Sequence, residues 1–313
     1  GRLAFNDQAA GRVVALDLRT GQGWQSPMKV NWLDWSPDGK NLLLAWGEGN
    51  YTVFSASGQP GEAITLAQGS MVEPAWMADS HLSLEGAVMS ADGTRAWLEY
   101  TPEMTWRLHV KTASGDETAI GLDPQPTDRL YQIATWVPGE PKLLVQRYYA
   151  SNGAMLVGGE VLEVDTAAKT VKTLNVTAPL GDGAAFTWKP GAQPGLLAYI
   201  ASGFQLMGER RLALLDAKTS QVRYPLPEGV NVTGLAWRPD GAALTFSAAP
   251  SETASAAAKK IIPGPGLYQL DPLSGAVSAL ESAPEGAADA WPHWTADGKA
   301  LLYARTITPA AGG

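Results

Sequence analysis

Few side chains here are of the kinds that make and break bonds. The 313 residues contain three histidines, His81, His109 and His293, and no cysteine. Without cysteine there are no disulfides, thiolate nucleophiles or sulfur-ligated zinc sites. His109 falls in a segment of alternating polarity and His81 in an irregular one, so the two share no site that spacing reveals. His293 is the most interesting of the three, because it directly precedes Trp294 inside a motif that recurs along the chain. No Gly-x-Ser-x-Gly elbow, phosphate loop, complete Gly-x-Gly-x-x-Gly or His-Glu-x-x-His occurs. Short pieces such as Gly47-Glu-Gly49 and Gly181-Asp-Gly183 read as turns.

Composition narrows the partners. The net charge is −8 with a pI near 5.0, which argues against nucleic acid, since gripping phosphates takes clustered Lys and Arg. No apolar run reaches the ~18 residues of a membrane span. Hydrophobic residues make up 45% of the chain, enough for a sizeable core. Gly (34) and Pro (22) are plentiful and Trp (12) outnumbers Tyr (9) and Phe (5), which suits a turn-rich β protein with large aromatic anchors.

What must position any site is a repeat. An aromatic-ended strand, a turn rich in Pro, Asp and Gly, and an apolar strand recur six times. The copies are Trp35-Ser-Pro-Asp-Gly39, Met89-Ser-Ala-Asp-Gly93, Trp136-Val-Pro-Gly139, Trp188-Lys-Pro-Gly191, Trp237-Arg-Pro-Asp-Gly241 and Trp294-Thr-Ala-Asp-Gly298. Their anchors are spaced by 54, 47, 52, 49 and 57 residues. Asp-Gly tolerates the left-handed backbone of a tight turn, and Pro presets φ just before it. Between the copies lies a second hairpin with period-two alternation, as in Val14–Gly21, Val53–Gly58, Arg107–Gly115, Val161–Leu174, Leu212–Leu226 and Leu267–Leu280.

Six first hairpins interleave with six second hairpins. Each pair makes a four-stranded antiparallel sheet, strands a to d, and sheets packed radially bury both faces. Residues 1–313 therefore read as a single all-β domain, a six-bladed β-propeller, with seven blades as the alternative. The chain opens on a second hairpin and ends on a first one, so the closing blade is expected to be shared by both termini. Leu3–Asp7 does not balance: it resembles a further b strand whose place Leu301–Thr306 already takes. A spare strand, an irregular terminus, or a native chain continuing past Gly313 would each account for it.

The Trp35-Ser-Pro-Asp-Gly-Lys40 turn resembles the WD40-like (PD40) repeat of TolB-like propellers, and Trp237–Gly241 and Trp294–Lys299 are similar to it. The departures are Met89 in place of Trp and the missing Asp at Pro138-Gly139 and Pro190-Gly191. The resemblance spans the chain and speaks for the fold far more than for a function. It implies a bacterial, exported protein, periplasmic or extracellular, from which a signal peptide has been removed.

With six blades, the residue before each anchor lies on the innermost strand, so His293 is a candidate for facing a central channel. Its counterparts Asp34, Thr135, Thr187 and Ala236 do not compose a metal cluster. Binding residues are expected on the longer b–c connections, read as Arg147–Glu160, Gly203–Arg211 and Pro250–Gly266. The candidates are Arg147, Tyr148, Tyr149, Phe204, Arg210 and His293, since aromatics and Arg compose binding hot spots. The third connection, with Ser251–Lys260, reads as polar and mobile. No cofactor and no catalytic residue is assigned. The function read from this is non-catalytic binding of a protein partner or small ligand on the b–c face. The alternative is a propeller-type enzyme, a lyase or lactonase, with its site at the channel mouth. Fold alone does not choose between them.

Overall fold

The computed structural model describes residues 1–7, 10–26, 28–36, 38–47, 50–65, 74–76, 82–83, 87–123, 129–150, 156–177, 186–191, 195–202 and 210–307. The chain is an all-β propeller built of antiparallel blades, and it forms two compact units: residues 1–98 with 108–119, and residues 99–107 with 120–313.

In the first unit, β1 (Arg2–Asp7), β2 (Arg12–Asp17) and β3 (Gly23–Ser26) form a three-stranded sheet in that order. A complete blade follows, β4 (Trp32–Trp35), β5 (Asn41–Ala45), β6 (Asn50–Ser55) and β7 (Pro60–Thr65). A short hairpin of β8 (Ala75–Trp76) and β9 (Leu82–Ser83) comes next. The blade after it is β10 (Val88–Met89), β11 (Arg95–Tyr100), β12 (Trp106–Lys111) and β13 (Glu117–Gly121).

The second unit holds three further complete blades. They are β14 (Leu130–Trp136), β15 (Lys142–Ala150), β16 (Leu156–Asp165) and β17 (Thr170–Thr177); then β18 (Thr187–Trp188), β19 (Leu196–Ser202), β20 (Arg210–Asp216) and β21 (Gln221–Arg223). The third is β22 (Val230–Trp237), β23 (Leu244–Pro250), β24 (Gly266–Leu270) and β25 (Val277–Ser282), with the helix α1 (Ala256–Ile261) between β23 and β24. The hairpin β26 (Ala287–Trp294) and β27 (Leu301–Ile307) ends it.

Five of these sheets are complete blades of four; the other seven strands are the sheet β1–β3 and the hairpins β8–β9 and β26–β27, and β1 is the outer strand added before β2. The sequence flagged this strand at Leu3–Asp7. It pairs with β2 along its whole length, from Arg2 opposite Asp17 to Asp7 opposite Arg12. The hairpin β8–β9 escaped the sequence reading. Trp76-Met-Ala-Asp79 repeats the anchor spelling, but Ser80 stands where the turn glycine would be.

The turns explain why the repeat spells as it does. Gly39 and Gly241 have φ of 67° and 68°, a left-handed backbone that costs glycine nothing. The preceding aspartate clasps the turn from within. Asp38 Oδ1 accepts the Lys40 N–H at 3.0 Å and the Ser36 hydroxyl at 2.7 Å. Asp297 does the same with Lys299 N–H at 3.1 Å and Thr295 at 2.6 Å. The second hairpins use an aspartate at the end of strand c: Asp17, Asp165, Asp216 and Asp271 each accept two backbone N–H groups. Donors that favour the charged carboxylate hold Asp38 down to about 2.

In β5 and β19, strand b is apolar on both faces because both faces are covered. In β5, Leu42 and Leu44 enter one cluster with Val13, Ala15 and Phe54, while Leu43 and Ala45 enter another with Tyr51 and Ile64. In β19, Leu197, Tyr199 and Ala201 face the blade of β14–β17, and Ala198 and Ile200 face the blade of β22–β25. This is why Leu42–Leu44 reads as a continuous apolar run and not an alternation.

The anchor tryptophans tie neighbouring sheets together by their indole N–H. Trp188 Nε1 donates to Thr135 Oγ1 at 3.0 Å, Trp237 Nε1 to the Thr187 carbonyl at 2.9 Å, and Trp294 Nε1 to Thr245 Oγ1 at 3.0 Å. In the first unit, Trp76 Nε1 reaches the Asp34 carbonyl at 3.1 Å. Asp34, Thr135 and Thr187 each directly precede an anchor of the previous repeat. Thr245 is the cross-strand partner of Ala236, which holds that position in its blade but has no side-chain acceptor. The inner-strand set singled out in the sequence thus includes the acceptors of the inter-blade bonds.

Candidate functional site

The structure gathers the sequence candidates only in part. Arg147, Tyr148 and Tyr149 lie within strand β15, which runs through Ala150, and not in a b–c loop. The pairing with β16 simply continues past a register shift at Tyr148/Tyr149. Tyr131 on β14, Arg147 on β15 and Glu160 on β16 stand opposite one another across three strands. Arg147 Nε donates to Glu160 Oε2 at 2.9 Å and Nη1 to Asp123 Oδ1 at 3.4 Å. The Tyr131 hydroxyl donates to Asp123, and Arg129 Nη1 lies 3.6 Å from the same carboxylate. Burial pushes the Tyr131 phenol up, and the Asp123 carboxylate reinforces this. For Arg147 burial opposes the charge, yet Glu160 and Tyr131 more than offset it and its guanidinium is held still more firmly protonated.

Tyr148 is 2% exposed. Its hydroxyl meets the side-chain carbonyls of Gln132, at 3.1 Å, and of Gln146, and burial raises its pKa. Arg210 opens β20, is exposed, and donates its backbone N–H to Asn231 Oδ1 at 3.2 Å. His293 lies on β26 opposite Leu302, just past a register shift, with its side chain exposed. Phe204 and His81 lie outside the described residues. His109 stacks on Trp97 at 5.1 Å and its Nδ1 is 3.3 Å from Glu117.

The connection containing Ser251–Lys260 is ordered, contrary to the expectation from its polarity. Ser255 caps α1, its Oγ accepting the Ala258 N–H at 3.1 Å, and Ala258 and Ile262 are fully buried in the core of the β22–β25 blade. Ser255 followed by three alanines and two lysines is an N-cap, strong helix formers and a basic last turn. That signal was present in the sequence and outweighed by the polar composition.

A second polar knot closes β25–β27. Asp289, whose side chain is wholly buried, receives Arg305 Nε at 2.6 Å and Nη2 at 2.9 Å. Arg305 Nη2 also reaches Glu281 at 2.7 Å, and Tyr303 donates to Glu281 at 2.8 Å. Arg305 in turn holds the Glu281 carboxyl below its ordinary range.

The first unit holds a cavity of about 590 Å³ that sequence reasoning missed. It opens among the a–b turn of the β4–β7 blade and the c–d turns of both N-terminal sheets, on the turn side and not on the loop side singled out in the sequence. Arg2, Arg19 and Lys40 bring positive charge, Asp17 is the carboxylate of the lining, and Trp24 and Trp35 form apolar walls. No signal in one repeat would have found it, because its lining comes from residues 2 to 57. Among the described residues no group of three histidines or carboxylates is placed to hold a metal ion.

No protein-family model and no curated protein matches the sequence. Solved structures of similar fold include an oligogalacturonate lyase in complex with manganese, 16% identical, covering 96% of this chain and 77% of that one, TM-score 0.50. A chain of a mitotic checkpoint complex is 15% identical over 97% of this chain and 81% of that one, TM-score 0.54. A putative TolB from Agrobacterium tumefaciens is 16% identical over 94% and 97%, TM-score 0.47. At such identities likeness speaks for fold and not activity: the chain is an all-β propeller whose anchor turns resemble those of TolB-like proteins.

Proposed function

We propose that this chain is a single non-catalytic propeller domain of the bacterial envelope or exterior that binds a protein partner or a small ligand. The observation that carries this is how the carboxylates of its two polar knots are used. Asp123 and Glu160 are held by Arg147, and Asp289 and Glu281 by Arg305. A general base must be free to reach a substrate proton, and a carboxylate gripped by a guanidinium is already engaged. These groups therefore stiffen blades, and the blades present turns and loops as a rigid platform. Arg210 and His293, both exposed, are contact residues on that platform; Arg147 and Tyr148 support it from β15, where Tyr149 also lies.

The test sets binding against turnover. Purified protein is incubated with oligogalacturonate and manganese, the substrate and ion named for one similar fold, and with model lactones. Unsaturated uronate is followed by ultraviolet absorbance and lactone opening by pH-stat. The binding reading expects no turnover above a protein-free blank. Stoichiometric, repeated turnover would replace it with the lyase or lactonase reading. Fractionation of the host with an antibody to this chain checks the envelope assignment, which cytosolic protein alone would overturn.

A further inference from the structure

We propose that the cavity among the N-terminal turns is a binding site for a small oxyanion-bearing ligand, a carboxylate or a phosphate. The proposal rests on the reading of the chain as a binding module and gives that module a ligand class.

Charge is the first observation. Three cations, Arg2, Arg19 and Lys40, line the cavity against one carboxylate, Asp17, in a chain whose net charge is −8. Asp17 is turned to internal duty: its Oδ1 accepts the N–H of Arg19 at 2.9 Å and of Thr20 at 3.2 Å, and these donors lower its pKa. Arg2 is fixed across the turn by a bond from Nη1 to the Gly39 carbonyl. Lys40 pairs with Asp38 at 3.3 Å, but its side chain is 77% exposed, so an incoming anion can recruit it. Hydroxyls add neutral donors. Ser55 and Ser57 line the cavity and bond each other at 2.9 Å, which leaves one hydroxyl hydrogen of the pair to point elsewhere.

The second observation is independent of charge. The indole N–H of Trp188, Trp237, Trp294 and Trp76 each finds an acceptor on a neighbouring sheet. Trp35 holds the same anchor position and lines the cavity, yet its Nε1 is buried without an acceptor among the described residues. A buried N–H without a partner is rare and costly, and an oxyanion that reaches it from the cavity would supply what it lacks.

The walls restrict the ligand further. Trp24 is stacked on Phe54 at 5.4 Å, and Gly58 lies against its ring so closely that a Cβ there would come within 2.6 Å. With its ring covered by Phe54 and Gly58 of the adjacent β4–β7 blade, Trp24 bounds the cavity and does not stack on a sugar or a base. Recognition is by charge and hydrogen bonds, which favours a compact anion over a neutral ring. The volume accommodates a tricarboxylate or a phosphorylated metabolite.

The experiment is calorimetric titration of the full chain with citrate, inorganic phosphate and glucose at low salt. Citrate or phosphate is expected to bind and glucose not to; tighter citrate assigns carboxylates, tighter phosphate assigns phosphates. Loss of two charge-assisted bonds in the double variant Arg19→Gln, Lys40→Gln is expected to weaken binding by about tenfold or more. Both positions are exposed, so the fold should survive. Lys299→Gln removes the same charge from the equivalent turn of another repeat and should leave affinity unchanged. In an indole-labelled heteronuclear spectrum the Trp35 N–H resonance, assigned by its loss in Trp35→Phe, should move on titration. No anion binding up to millimolar concentration overturns the proposal. So does binding that Arg19→Gln, Lys40→Gln leaves intact, or that Lys299→Gln weakens equally. Failure here with no turnover of uronate or lactone rejects this ligand and leaves the binding module standing, whereas turnover rejects the module itself.

Discussion

The inter-blade tryptophan bonds offer a test in which one repeat serves as control for another. Thr245 and Thr135 accept from Trp294 and Trp188 through their hydroxyls, whereas Thr187 accepts from Trp237 through its backbone carbonyl. Thr→Val keeps the shape and β-branching but removes the hydroxyl. At position 245, fully buried, the change strands an indole N–H, and the expected cost is about 1–2 kcal/mol. At position 135, where the site is only half-buried and the hydroxyl also donates to the Trp136 carbonyl at 3.1 Å, the cost is about 1 kcal/mol. At position 187 the acceptor survives the substitution, and the change should stay within about 0.5 kcal/mol of zero. Urea unfolding followed by tryptophan fluorescence reads all three, and an unchanged m value certifies that the surface exposed on unfolding is the same. If Thr187→Val costs as much as Thr245→Val, the indole bonds are not the cause. If Thr245→Val is neutral, the bonds contribute nothing to stability.

Other consequences are as direct. Tyr199 stacks its ring on Phe186 and its hydroxyl is buried without a partner among the described residues, so Tyr199→Phe should raise stability by about 1 kcal/mol in urea unfolding; a loss would show that the hydroxyl is satisfied. Ser255→Ala removes the N-cap of α1 and should cost about 1 kcal/mol, with faster amide exchange confined to residues 256–262. The turn aspartates Asp38, Asp92 and Asp297 have lowered pKa values, Asp38 to about 2, because turn N–H and hydroxyl groups bond their charged form. The folded state then binds fewer protons than the unfolded one, so this stabilisation is present above about pH 4 and is lost as pH falls toward 2. Replacing all three with Asn should flatten the fall in urea midpoint over that window, and an unchanged slope would place the acid sensitivity elsewhere.

The architecture was legible because each repeat announces itself twice, through an aromatic at a strand end and through a turn whose aspartate and glycine have separate physical tasks. The run Leu42–Leu44 even declared that strand b is covered on both faces. What escaped did so for local reasons. Trp76 sits in a copy whose turn has lost its glycine, and α1 hides in a segment whose small polar residues read as loop. The knots around Arg147 and Arg305 depend on which residues oppose each other across strands. Register shifts at Tyr148/Tyr149 and Ala290/His293 make that unreadable from spacing. Tyr148 looked like a contact residue by type, but its strand runs longer than the alternation suggested. The cavity at Trp35 lay furthest from view, since turns from two sheets define it.

The anchor bonds also bear on how such a chain grows. Where the joint is made, as at Trp188 and Trp237, a roughly fifty-residue copy carries in its own spelling a donor for the copy before it and an acceptor for the copy after it. A duplicated segment therefore arrives with both halves of its joints already encoded, and no compensating change is needed in the older copies. Drift is tolerated unevenly as a result. A backbone acceptor such as that at Thr187 survives almost any substitution, while a hydroxyl acceptor such as Thr245 ties its lineage to Ser or Thr. Comparing the freedom of those two positions across descendants of this chain would read the history of its joints directly from sequence.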